Sequence, residues 1–175
     1  VITLIVGGVG SGKSRYAQTL AQSSSTVVFI ATAEPIDEEM RLKIERHRLQ
    51  RPSHWTTIEE PFELETAIVQ SAPTSSFLVL DCITTFTANL LQKDMTRDKI
   101  LEKIDGISEV LAKLKCSAAI VSNEVGSGIV PAFPSGRVFR ELLAEANQRL
   151  ARVSDNVILM VAGCPWAVKG AVSQL

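Results

Sequence analysis

A three-layer α/β domain with a mainly parallel sheet is what this sequence predicts, on three observations. Short, wholly apolar runs rich in β-branched residues recur along the chain, the pattern of strands buried on both faces. Segments of helical length alternate with them, which implies right-handed crossovers between parallel strands. The first apolar run also ends in a glycine-rich turn that opens directly into a helix. A length of 175 residues suits one compact domain with a sizeable core, so residues 1–175 are expected to form a single unit.

Taken in order, Val-Ile-Thr-Leu-Ile-Val at residues 1–6 is the first predicted strand and residues 13–22 the first helix. Residues 26–32 repeat the buried-strand pattern through Val27, Val28, Phe29 and Ile30. A charged amphipathic helix is expected over residues 36–50, opening with Asp37, Glu38 and Glu39 where acids suit the helix dipole. Arg51-Pro52 breaks it. A short strand over 55–58 and a helix over 61–69 come next.

The apolar strand 77–80 ends on Asp81, and helices are predicted over 84–91 and 98–114. A strand over 118–122, a helix over 138–152 and a last strand over 157–162 complete the pattern. Between them, residues 123–136 form a Gly/Pro-rich loop too long for a simple connection. It suits either a functional role or a surface loop stiffened by Pro131 and Pro134.

Composition narrows the function classes. Hydrophobic residues make up 46 % and charged residues 21 %, and the net charge of -1 offers no general basic footprint for nucleic acid. Cys82, Cys116 and Cys164 are odd in number and widely separated, without ligand spacing, which argues against zinc and disulfides and for a reduced, cytoplasmic setting. No apolar run is long enough to span a bilayer, and no signal-type stretch is present. The start on Val1, without a methionine, is expected to reflect a residue or two trimmed.

Gly7-Gly8-Val9-Gly10-Ser11-Gly12-Lys13-Ser14 fits GxxxxGK[ST] without a mismatch, with a buried strand before it and a helix after it. Glycines let successive N–H groups turn inward toward phosphate oxygens, and the helix adds the positive end of its dipole. Lys13 is expected to reach the β- and γ-phosphates and the Ser14 hydroxyl to bind Mg²⁺. Asp81, ending an apolar strand, suits the second Mg²⁺ ligand, the alternative being an N-cap for the helix near Thr84. Farther on, Lys43, His47 and Arg51 are spaced to share one helix face. A histidine among cations can attack phosphorus while the cations hold phosphate oxygens. The other reading is a solvated basic face balanced by Glu38, Glu39 and Glu45. No Asn-Lys-x-Asp guanine motif is present, which argues against a GTPase-type switch.

Taken together, the blocks GGVGSGKS, FIATAEPIDEEM, IERHRLQRPSHW, LDCITTFTANLL, SNEVGSGIVP and NQRLA resemble those of a known family over nearly the whole chain. It is the bifunctional adenosylcobinamide kinase/adenosylcobinamide-phosphate guanylyltransferase of cobalamin biosynthesis. The resemblance implies a P-loop NTPase (RecA-like) fold and phosphoryl transfer from ATP or GTP to adenosylcobinamide. It also implies transfer of GMP from GTP to adenosylcobinamide-phosphate through a guanylyl-histidine, with His47 as the nucleophile. By the same carry-over, Thr32, Ala33, Glu34, Arg48, Arg51, Glu59 and Asp81 border the nucleotide, Mg²⁺ assists, and the chain forms a homotrimer. Two positions depart from the family pattern: Gly10 stands where an arginine is common, and Arg46 where some members carry a second histidine. A P-loop small-molecule kinase without the covalent step is the alternative reading.

Overall fold

The computed structural model describes residues 1–49 and 51–172. Seven strands form one sheet in the order β3-β2-β4-β5-β1-β6-β7. They are β1 (Ile2–Gly7), β2 (Val27–Ala31), β3 (Thr56–Glu59), β4 (Phe77–Asp81), β5 (Ser117–Val121), β6 (Asn156–Val161) and β7 (Cys164–Lys169). The helices are α1 (Lys13–Ala21), α2 (Glu38–Leu49), α3 (Leu64–Ser71), α4 (Ile83–Gln92), α5 (Arg97–Ala112) and α6 (Pro134–Val153), with a 3₁₀ turn at Ala72–Thr74. Strands β1 to β6 run parallel, and β7 alone is antiparallel.

The strict side-chain alternation of the strands divides the core into two layers. Ile2, Leu4, Val28, Ile30, Leu78, Leu80, Ala118 and Ile120 join one cluster with α3, α4, α5 and α6. Ile5, Val27, Phe29, Phe77, Val79, Ala119 and Val121 face the other way, onto Tyr16, Ala17 and Ala21 of α1 and onto Trp55. Both faces are dry at the centre, since Leu80, Val79, Ile30 and Ile5 are fully buried. Each such aliphatic side chain contributes about 1.5–3 kcal/mol from removal of its surface from water. The arrangement is the three-layer sheet that continuous apolar strands require.

Three boundaries differ from the sequence reading. The segment at residue 61 begins with a turn, because the Glu60 carboxylate accepts the N–H groups of Phe62 and Glu63 at 2.9 Å each, and α3 starts only at Leu64. Helix α6 begins at Pro134, inside the stretch read as loop. Gly136 misled there: it marks no turn, but a Cβ on it would lie 2.8 Å from the Pro131 ring, so glycine allows the loop to fold back on the helix. Finally, β6 is not the last strand. Ala162 and Gly163, with φ of 50° and 82°, reverse the chain into β7, an edge strand in which Pro165 is tolerated. Gln50, the expected end of the second helix, lies outside the described residues.

Candidate active site at the carboxyl edge of the sheet

In a parallel sheet every crossover delivers its strand's carboxyl end to the same edge, and ligands bind there. Here β1 delivers the glycine-rich loop, β2 delivers Thr32, β3 ends on Glu59, β4 on Asp81, and β5 leads into Ser122 and Asn123.

The loop is shaped by close approach. A Cβ on Gly7 would lie 2.5 Å from the Met160 carbonyl oxygen, and Gly10 and Gly12 hold φ of 73° and 94°. Gly8, Val9 and Gly10 are exposed at the tip, whereas Ser11 and Lys13 are buried. Lys13 Nζ donates to the Gly8 carbonyl at 2.7 Å, so the side chain arches over the loop. Burial lowers the pKa of that ammonium, against the opposing pull of Cys82 and Asp81. Two neighbours brace the loop from outside. The Gly163 N–H donates to the Ser11 carbonyl at 3.1 Å, and the Glu124 N–H donates to the Gly7 carbonyl at 3.0 Å.

Asp81 lies one strand away from the loop, because β5 separates β4 from β1. Desolvation raises the pKa of its carboxyl, opposed by a hydrogen bond from Ser14 and by the charges of His47, Arg51 and Lys13. Four of the residues singled out in the sequence, Lys13, Ser14, His47 and Arg51, therefore converge on the Asp81 carboxylate. Asp81 is not the helix cap: Cys82 occupies that position in α4, its Sγ accepting the Thr85 N–H at 3.4 Å. Burial, followed by the nearby Asp81 charge, pushes the Cys82 thiol up, so it stays protonated.

The histidine side is built from α2 and the turn after it. Asp37 caps α2 by accepting the Met40 N–H at 2.7 Å. Met40, Ile44 and His47 form its half-buried face, while Arg46 and Arg48 are exposed. Arg51 lies over the Phe29 ring, 3.8 Å from the centroid. Its guanidinium is partly desolvated and is influenced by Asp81, Glu59 and Arg48, in that order. The side chain of Lys43, expected on the same face, lies outside the described ones.

Thr32 is fully buried, and its hydroxyl is committed to the backbone of Cys82: it donates to the carbonyl at 2.7 Å and accepts the N–H at 2.9 Å. Ala33 and Glu34 follow it, half-buried, into a turn closed by the Ile36 N–H on the Glu34 carbonyl. Sequence reasoning missed Cys82, Asn89, Gly163 and the Phe29 ring as parts of this edge. None carries a motif; each belongs through packing or through a backbone bond between distant segments.

The donor set tests the magnesium expectation. Asp81 and Ser14 offer one carboxylate and one hydroxyl, both oxygen, already hydrogen-bonded to each other. Among the described residues no three of His, Cys, Asp and Glu converge as a protein cage. A hard cation that takes most of its ligands from phosphate oxygens and water fits such a pair.

The pattern of the family described as CobU, cobinamide kinase / cobinamide phosphate guanyltransferase, matches residues 3–168. The chain is 35 % identical over 181 residues to the "Bifunctional adenosylcobalamin biosynthesis protein CobU" of Escherichia coli (strain K12), covering 97 % of this chain and 100 % of that protein. It is 38 % identical over 172 residues to the "Bifunctional adenosylcobalamin biosynthesis protein CobP" of Pseudomonas aeruginosa, covering 95 % and 96 %. Among solved structures, the RadB recombinase superposes with a TM-score of 0.53 at 15 % identity, covering 91 % of this chain and 73 % of that one, a likeness of fold.

Proposed function

The chain belongs to the CobU family of cobinamide kinases and cobinamide phosphate guanyltransferases, and from that premise we propose how its residues divide the two reactions. The protein is an enzyme of adenosylcobalamin biosynthesis with both activities, a kinase and a nucleotidyltransferase. The observation that carries the division of labour is Asp81, which lies within the electrostatic reach of Lys13 and Ser14 on one side and of His47 and Arg51 on the other.

In the kinase step, the hydroxyl of adenosylcobinamide attacks the γ-phosphorus of ATP or GTP. The bond to the β-phosphate oxygen breaks, the nucleoside diphosphate leaves, and the hydroxyl proton passes to solvent. Lys13 swings from the Gly8 carbonyl to the β- and γ-oxygens, while the amides of residues 7–14 hold the rest. Bound Mg²⁺, held by Ser14 and Asp81, would neutralise charge on the phosphate oxygens. In the transferase step, an imidazole nitrogen of His47 attacks the α-phosphorus of GTP and pyrophosphate leaves. A phosphate oxygen of adenosylcobinamide-phosphate then attacks the same phosphorus and breaks the N–P bond. Two displacements replace one harder one. Arg51 and Arg48 hold the oxyanions, and Ala33, Glu34 and Glu59 line the nucleotide's edge, with Thr32 buried beneath them on the Cys82 backbone.

The test is incubation with Mg²⁺ and GTP labelled at the α-phosphate. We expect a protein-bound, acid-labile and base-stable label that His47→Ala abolishes while the kinase rate is largely kept. Full labelling of His47→Ala would assign the nucleophile elsewhere, and no label at all would leave a kinase without the covalent step. We further place the enzyme in the cytoplasm as a homotrimer. No helix among the described residues is long and apolar enough to cross a membrane. Leu49 and Trp166 expose apolar surface that a second copy would cover. Sedimentation as a monomer at micromolar concentration, or recovery outside the cytoplasmic fraction, would overturn the corresponding placement.

A further inference from the structure

Thr32 and Asn89 form a linked pair beneath the site that no motif assigns. The Thr32 N–H donates to the Asp81 carbonyl at 3.1 Å, and its hydroxyl spans both polar groups of Cys82, the next residue. One buried side chain thus extends the β2–β4 ladder past its last backbone pair, Ala31 with Asp81, and ties down the backbone on the carboxyl side of Asp81. Behind it, Asn89 of α4 is itself buried. Its Nδ2 donates to the Thr32 carbonyl at 2.7 Å and to the Pro61 carbonyl at 3.3 Å. Asn89 therefore fastens two loops to the one helix whose first turn is capped by Cys82: the loop from β2 toward α2, and the loop that follows Glu59. Thr32 and Asn89 are themselves buried, where an unmet polar partner costs about 1–3 kcal/mol.

We propose that Thr32 and Asn89 are positioning residues that fix the Asp81 carboxylate for its cation, and that Thr32 acts through Asp81 rather than by touching nucleotide. The Thr32 hydroxyl has no donor left for a ligand, since its single proton is on the Cys82 carbonyl. A carboxylate that binds metal needs its backbone and rotamer held, and outer partners of this kind tune affinity without contacting the ion. The inference rests on Asp81 being the magnesium ligand proposed above.

The experiment measures binding of a fluorescent GTP analogue to the full chain, with and without Mg²⁺, alongside thermal unfolding. Asp81→Asn comes first: it should remove most of the Mg²⁺-dependent gain in affinity, and if it does not, the metal reading itself fails. Given that result, Thr32→Val should raise the Mg²⁺ concentration at half-effect by about tenfold while leaving metal-free affinity within about twofold. Thr32→Ser, which keeps the hydroxyl, should behave as the parent. Asn89→Leu should move the Mg²⁺ midpoint in the same direction by a smaller factor, and it decides the matter if Thr32→Val does not fold. An unmoved midpoint, or an equal loss of metal-free affinity, overturns the positioning role. The second result would make Thr32 a nucleotide contact instead.

Discussion

Lys13 and His47 act on the same carboxylate from supports of opposite kind. Lys13 is buried at the start of α1, and the loop before it is hydrogen-bonded to the turn after β6 and to the segment after β5. Tyr16, Ala17 and Ala21 bury the rest of that helix against the sheet centre. His47 is half-buried on α2, whose Arg41, Leu42, Glu45 and Leu49 all face solvent. The charged pairs along α2, Arg41 with Glu38 and with Glu45, are exposed and add little. The difference matches the roles proposed for the two residues. Phosphate binding needs a preformed cradle of amides, whereas a nucleophile that must approach phosphorus and then present it to a second substrate needs room to move.

The sharpest way to break this comparison is to remove each residue in turn. Lys13→Ala should lower both activities by about 10²–10³-fold, because both reactions draw on the same phosphate cradle. His47→Ala should cost the transferase about 10⁴-fold or more and the kinase only a few-fold. Steady-state rates of both reactions on the same preparations check this. If Lys13→Ala spared guanylyl transfer, the two reactions would use separate phosphate sites, and the shared role of Asp81 would fall.

A second measurement concerns the supports themselves. Leu80 is fully buried beside Asp81, and Leu80→Ala should cost about 3 kcal/mol in urea unfolding. Ile44, on the half-buried face of α2, should cost under about 1 kcal/mol when cut to alanine. Equal losses would mean that α2 is as firmly seated as the sheet.

How far the sequence could be read follows the same division. The strands and the P-loop were legible because their signal is local: an unbroken apolar run, then glycines at fixed offsets from Lys13. Asp81 was legible as the acid closing such a run. The cap was not, since cysteine ranks low among capping residues, and only the structure places Cys82 before α4. Strand β7 was hidden because it is an edge strand with Pro165 inside it and mostly exposed side chains, so it lacks the apolar run that marks the others. The Thr32–Cys82 and Asn89–Thr32 bonds join segments at least fifty residues apart, and no window along the chain contains both ends. His47 was the intermediate case. Its spacing was compatible with a solvated basic face, and it was the family resemblance that favoured a nucleophile.

The smallest expected effect is the most discriminating for the histidine side. Phe29 is buried in the sheet layer shared with α1, and its ring supports the Arg51 guanidinium from below. Leucine at this position would keep the core apolar but remove the aromatic face. A cation–π contact of this partly desolvated type contributes about 1 kcal/mol, so Phe29→Leu should slow labelling of His47 by about fivefold. In the proposed scheme the kinase rate depends on the loop at residues 7–14 rather than on Arg51, and should fall less. The ratio of the two activities is the quantity to measure, because any general loosening of the layer between α1 and the sheet lowers both together. A ratio unchanged from the parent would mean that Arg51 does not hold the oxyanion, and that its place over the ring is packing alone.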